Sequence, residues 1–226
     1  MSEHPFTPDL FARIDESDDA AFYAFPRKVV HIDAPAIAAL ASYYAEIVPG
    51  GADVLDLMSS WRSHLPERPR PRRVIGLGMS APEMADNPDL DHAVVHDCNR
   101  ESRLPFIDGC FDAALLAVSL QYLIRPIEIF HEVARVLRPG GTFAVALSHR
   151  CFPTKAVKIW RDCHTMRERM ELGMAYFQYA GGFVDVLAAD LRPDVRSGED
   201  PIAVVCGRTA RGAQSKGRLG SGWRRR

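Results

Sequence analysis

Five short apolar runs in this chain each end in small or polar residues, and those endings hold most of its candidate chemistry. In order they are Asp56-Leu-Met-Ser-Ser60, Gly78-Met-Ser80, Asp97-Cys98, Val118-Ser-Leu-Gln121 and Ser148-His-Arg-Cys151. Asp56 and Asp97 supply carboxylates, which either cap the N–H groups of a turn or accept from an amine. His149 offers an imidazole whose ordinary pKa suits proton removal near neutral pH. Tyr122 and Gln121 either face a substrate or pack. A metal centre can be drawn from His149, Cys151, Cys163 and His164, but their spacing matches no recognised zinc module, so no metal is expected. The five cysteines (Cys98, Cys110, Cys151, Cys163, Cys206) are odd in number and lack a Cys-x-x-Cys pair. They read as reduced thiols, which fits a cytoplasmic protein.

The runs themselves read as strands: 52–57, 73–77, 93–96, 111–118 and 142–147. Between the last two, Ile127, Phe130, Val133, Ala134 and Leu137 share one face of a helix that Pro139-Gly140-Gly141 ends. Strands apolar on both faces and separated by helices imply a parallel sheet covered on each side. Upstream, helix signals run from Pro8 to Phe25, and a firmer helix opens at Asp33 with Pro35 in its first turn. Pro66, Pro69 and Pro71 leave room for only a turn or two of helix after the first strand. Downstream, residues 152–173 read as helix, and 182–188 and 202–208 as two strands joined by a polar loop, hence an antiparallel pair at the sheet edge.

A chain of 226 residues, 47% hydrophobic and 25% charged, suits one soluble domain with a substantial core. It has no apolar run long enough for a membrane span and no signal-peptide pattern at its start. Its net charge of −1 conceals an asymmetry: residues 210–226 carry six basic and no acidic side chains, leaving −7 for residues 1–209. The acidic body argues against nucleic acid as a partner. The Gly/Ser/Arg-rich tail reads as a disordered end.

From about Val54 to Arg208 the chain resembles the class I S-adenosylmethionine-dependent methyltransferase family, of the methyltransferase type 11 kind. Leu104-Pro-Phe-Ile-Asp-Gly-Cys-Phe-Asp112, followed by Arg135-Val-Leu-Arg-Pro-Gly-Gly141, carries the resemblance. It implies an α/β, Rossmann-like, doubly wound and mostly parallel seven-stranded sheet with a C-terminal antiparallel hairpin. The expected division is a helical lid over 1–50, the cofactor-binding domain over 51–209 and a basic tail over 210–226. S-adenosylmethionine would lie beyond the carboxyl ends of the strands, where strand order reverses. The resemblance implies that Asp56 meets the amino end of the cofactor and Asp97 and Cys98 the adenine. Val118 and Ser119 would line its methionine part, with Tyr122 and His149 as catalytic candidates.

Two departures stand out. Where the family has Gly-x-Gly-x-Gly, this chain has Met58, Ser60 and Arg62, with Ser59 and Ser60 as substitute donors. Where the family has an acid for the ribose hydroxyls, it has Gly78, with Met79 free to pack on adenine and Glu83 a turn later as a substitute. Tyr23, Arg27 and Trp61 would close the pocket, and His31 and His64 are weaker base candidates. The expected activity is in-line methyl transfer to a small-molecule acceptor. The alternatives are a non-catalytic scaffold on the same fold, or an RNA or protein methyltransferase.

Overall fold

The computed structural model describes residues 4–211; the basic stretch assigned to the tail falls almost wholly outside them. Seven strands form one sheet: β1 (Asp53–Leu57), β2 (Arg73–Gly78), β3 (His92–Val95), β4 (Phe111–Ala117), β5 (Leu137–Leu147), β6 (Phe183–Asp190) and β7 (Ala203–Thr209). Their spatial order is β3-β2-β1-β4-β5-β7-β6. The first five are parallel, and β7 runs antiparallel between β5 and β6. The order reverses between β1 and β4, so the ends of those two strands border the crevice where a doubly wound sheet binds ligands.

Helices cover both faces. On one side lies α2 (Ala34–Ile47), whose N-terminus Asp33 caps by accepting from the Ala36 amide at 2.8 Å. Its Ala36, Leu40 and Tyr44 pack on Val54, Ala113, Leu115 and Ala144. On the other side, α4 (Pro126–Val136) and α6 (Met166–Ala180) cover Leu55, Leu57, Leu116 and Phe143. Successive strand residues thus feed opposite cores, which is why these strands are apolar throughout.

Three local expectations need correction. The segment 8–25 is not one helix: a 3-10 turn (Pro8–Phe11) and a single turn α1 (Asp19–Phe22) are separated by an irregular stretch. Residues 58–72 hold no helix, not even the turn or two expected; Pro66, Pro69 and Pro71 interrupt the stretch. The helix expected over 152–173 is displaced. A short α5 (Lys158–Arg161) is followed by α6, which begins where Thr165 and Glu168 cap each other reciprocally. The remaining crossover helix, α3 (Ala81–Ala85), is short and starts at Ser80.

Candidate active site

The strand ends surround a cavity of about 120 Å³, roofed by the N-terminal segment 23–31. That strap is irregular and pinned at several points. The Arg27 amide donates to Glu83 Oε1 at 2.6 Å, and Trp61 Nε1 donates to the Val29 carbonyl at 3.1 Å. Lys28 pairs with Asp86 at 2.5 Å across half-exposed side chains, a contact worth little by itself. Before the strap, Asp19 anchors the chain. Arg13 reaches both its oxygens at 2.7 Å, Asn99 donates to Oδ2 at 3.1 Å, and Lys155 lies 3.2 Å from Oδ1. Lys155 also donates to the Ser17 carbonyl at 2.7 Å.

At the end of β1, Asp56 is buried, and Ser59 and Ser63 donate to its Oδ2 at 2.5 and 2.6 Å. Burial pushes its carboxyl up to about 6, the two hydroxyls opposing that shift. Met58 follows with a φ of 54°, a left-handed conformation normally left to glycine. Val118 at the end of β4 has a φ of 48°, and His64 one of 57°. All three line the cavity. Such backbones cost of order 1–3 kcal/mol each and gather at functional sites. The turn therefore keeps a glycine-like path at Met58 without the glycine.

The end of β2 explains the missing acid. Ser59 continues the sheet for one residue, its amide donating to the Leu77 carbonyl at 2.8 Å. This brings the Ser59 carbonyl against Gly78. A Cβ at Gly78 would overlap that oxygen and lie 3.1 Å from its carbon and 3.2 Å from Met84 Sδ. No side chain fits there. Glu83, one turn on, is 4% exposed. Its Oε2 accepts from Ser60 Oγ at 2.5 Å, while Oε1 holds the strap.

Residues 61–145 match the model of a methyltransferase domain family. The chain is similar to the S-adenosylmethionine-dependent methyltransferases over that stretch, a little over a third of its length. A demethylmenaquinone methyltransferase of Paenarthrobacter aurescens is 32% identical over 90 residues, 39% of this chain and 32% of that protein, so the match spans about a third of the relative's length. Among solved structures, an S-adenosylmethionine-dependent methyltransferase from Mesorhizobium loti is similar at a TM-score of 0.52 and 17% identity, over 75% of this chain and 97% of that one. The [4+2]-cyclase SpnF is similar at 0.53 and 18%, over 76% and 81%. These structural likenesses speak to the fold.

The ten positions expected to contact cofactor (Asp56, Met58, Ser59, Ser60, Gly78, Met79, Asp97, Cys98, Val118, Ser119) all line the same cavity, and Tyr122 does too. His149 does not. It sits 3.4 Å from Asp200, beside Arg150, which donates to the same carboxylate at 2.7 Å. His149 and Arg150 after β5 turn toward Asp200 in the β6–β7 loop, and the imidazoles that line the cavity are instead His31, on the strap, His64 and His96. The His31 ring packs edge-on against Phe152 at 5.0 Å, and burial lowers its pKa. His64 is pushed down to about 4 by burial.

Arg13, Asp19, Phe152 and Lys155 also line the cavity and had not been singled out. The Asp19 cluster joins residues far apart in sequence and has no local signature. Phe152 did have one: it is the first aromatic after β5. Tyr122 packs parallel to it at 6.1 Å and takes its amide on the phenol oxygen at 2.8 Å. Burial lifts the Tyr122 hydroxyl to about 12 and the Tyr23 hydroxyl also upward.

The residues suit the family's cofactor at its polar ends. Asp56 is a buried carboxylate without a cationic partner among the described residues, where a cationic amine would belong. Asp97 spends Oδ1 on the amides of Asn99 and Arg100, at 2.8 and 3.2 Å, leaving Oδ2 for an adenine amine. Space is the shortfall: about 120 Å³ is small beside the roughly 300–1,000 Å³ of clefts that take such ligands. The strap must lift for the ligand to pass.

Proposed function

We propose that this protein binds S-adenosylmethionine in the strap-covered cavity and transfers its methyl group to a small-molecule acceptor. The carrying observation is the convergence of residues from four strand ends, with Met58 and Val118 in strained backbone conformations, on one cavity. When bound, the cofactor supplies a methyl group on an electrophilic sulfonium. Asp56 holds its amine, Asp97 and Cys98 meet its base, and the Val118-Ser119 turn flanks its amino-acid part.

The acceptor side is walled by Tyr23, His31, Tyr122 and Phe152. Both phenols stay protonated at neutral pH and the imidazole stays neutral, so these groups orient and desolvate an acceptor without charging the wall. Of the four cations that line the cavity, Arg13 and Lys155 are spent on Asp19, while Arg27 and Arg62 donate to the carbonyls of Phe22 and Trp61 and lie over the rings of those same residues. An enclosed wall of aromatic rings suits a small, largely apolar molecule better than a nucleic acid strand. Holding donor and acceptor in line, with water excluded, supplies much of the rate in such a transfer.

Calorimetric titration with S-adenosylhomocysteine tests the cofactor assignment; binding at micromolar concentration is expected, and no heat from folded protein overturns it. Transfer of label from methyl-labelled S-adenosylmethionine to a panel of phenols, quinols and amines then tests the acceptor class. The non-catalytic alternative, favoured by the glycine-poor first turn, predicts binding without transfer to any of them.

A further inference from the structure

We propose that the end of the sheet opposite the cavity binds the phosphates of a nucleic-acid strand, through an arginine surface that the −7 carried by residues 1–209 conceals. This surface stands apart from the cofactor site and does not depend on the reading given to it.

Six arginines gather where the parallel strands begin: Arg68, Arg70, Arg72, Arg73, Arg138 and Arg211. Their centre is Asp53, the first residue of β1 and fully buried. Arg72, Arg73 and Arg138 all turn to this one carboxylate, so a single negative charge shielded from solvent serves three guanidiniums. Those three side chains stay between 37 and 66% exposed, which leaves their outer faces open. Arg138 has a second partner, Asp112 at 2.6 Å.

Arg68 and Arg70 are exposed and enter no ion pair among the described residues. Their segment is nevertheless fixed. The Arg70 carbonyl accepts from the Gly51 amide at 3.2 Å, the Arg72 amide donates to the Ala52 carbonyl at 2.9 Å, and Pro71 between them is buried. Arg211 joins from the other side, its Cγ 3.3 Å from where a Cβ on Gly140 would stand. Beyond it the sequence adds Lys216, Arg218, Arg224, Arg225 and Arg226 and no acid. Glu67 and Asp91, whose Oδ2 takes the Val74 amide, are the further carboxylates at this end.

All six cations on the body are arginine. A planar guanidinium fork matches the paired oxygens of a phosphodiester, whereas an anionic lipid surface takes lysine equally well. Several such forks on one surface suit a linear polyanion with recurring phosphates. Phosphate contacts carry no base information, so binding here is indifferent to sequence. The five residues of β1 set the surface roughly 17 Å from the cavity. A strand held there recruits the protein and does not accept its methyl group.

Fluorescence anisotropy of the full chain with two labelled single strands of unrelated sequence, titrated between about 50 and 200 mM salt, tests this. Sedimentation with phosphatidylcholine–phosphatidylserine vesicles is the parallel arm. Both strands should bind equally at micromolar concentration in low salt. At about 0.7 per phosphate neutralised, log K should fall against log salt with a slope of about −2 or steeper. Arg68→Ala with Arg70→Ala should weaken binding at least fivefold and flatten that slope by about 1. The same fivefold step should persist when Lys216, Arg218, Arg224, Arg225 and Arg226 are all replaced by serine. Arg167→Ala, which removes an 83% exposed charge on α6, should stay within twofold of wild type. Affinity for S-adenosylhomocysteine should not change when the strand is bound.

No binding of either strand in low salt overturns the proposal. A loss in the Arg68, Arg70 double variant no greater than that in Arg167→Ala also overturns it, because the tail alone would then be the binder. So does capture by the vesicles in preference to the strands. Competition between strand and S-adenosylhomocysteine would put the strand in the cavity and equally defeat it.

Discussion

Gly78→Ala is the sharpest probe of how the first turn and the second strand fit together. The added methyl would overlap the Ser59 carbonyl oxygen and press on Met84 Sδ. Overpacking in a core typically costs 1–3 kcal/mol, and more where no rotamer relieves it. Here the obstacle is main chain, itself held by the Ser59–Leu77 bond at 2.8 Å, so relief also forfeits a hydrogen bond worth about 1 kcal/mol. The expected loss is therefore about 3 kcal/mol or more. In a domain of this size each kcal/mol moves Tm by roughly 2–4 °C, which puts the fall at about 6–12 °C by scanning calorimetry. Gly78→Asp, which restores the family's usual acid, should be at least as damaging and should not tighten S-adenosylhomocysteine binding. A Gly78→Ala protein melting within about 2 °C of wild type, or a Gly78→Asp protein that binds more tightly, would refute the account of this junction.

Other perturbations separate the remaining groups. Because Asp56 titrates near 6 in the fold and near 3.9 unfolded, the folded state holds more protons between those values. Its contribution to stability is therefore best below pH 4, declines as pH rises to about 6, and then stays unfavourable by roughly 3 kcal/mol. Asp56→Asn should accordingly gain stability relative to wild type on going from pH 4 to pH 7 in ligand-free protein, while losing affinity for S-adenosylhomocysteine; parallel melting curves at the two pH values would contradict this. Asp19→Asn strands the buried Arg13 and Lys155 and should cost about 3 kcal/mol at pH 7. Since burial opposes, but Arg13, Asn99 and Lys155 outweigh, the shift of the Asp19 carboxyl downward, that gap should close as pH falls below about 4 in acid-unfolding curves. His149→Ala removes only a 3.4 Å contact with Asp200 and should leave ligand affinity unchanged and stability within about 0.5 kcal/mol.

The sheet was legible because its strands must be apolar on both faces, and the short runs around Leu55, Ile75, Leu115 and Val145 could be little else. The cavity floor followed from strand polarity: whatever lies at a carboxyl end faces the crevice. What could not be read depends on contacts between distant segments. Gly78 looked like a lost ribose ligand, yet it is a packing requirement set by Ser59, nineteen positions earlier in a proline-rich stretch. His149 looked like a base by position, but Asp200 in the β6–β7 loop draws it away. The helix after β5 was misplaced because charge and apolar content alone did not locate its start, whereas Thr165 and Glu168 did.

The reciprocal pairing of Asp33 and Asp200 reaches further than the helix it caps. The Asp33 amide donates to Asp200 Oδ2 and the Asp200 amide to Asp33 Oδ2, each at 2.9 Å, with Arg192 bracing Asp33 at 3.1 Å. Together with the Asp19 anchorage, this rivets the roofing segment to the body at both feet. A segment fastened at both ends can lift only by bowing outward between them, not by swinging away like a door. If the cavity takes an acceptor as proposed, the length of that arch sets its size, and inserting residues between Asp19 and Asp33 should widen the range of molecules admitted without touching a single group on the cavity floor.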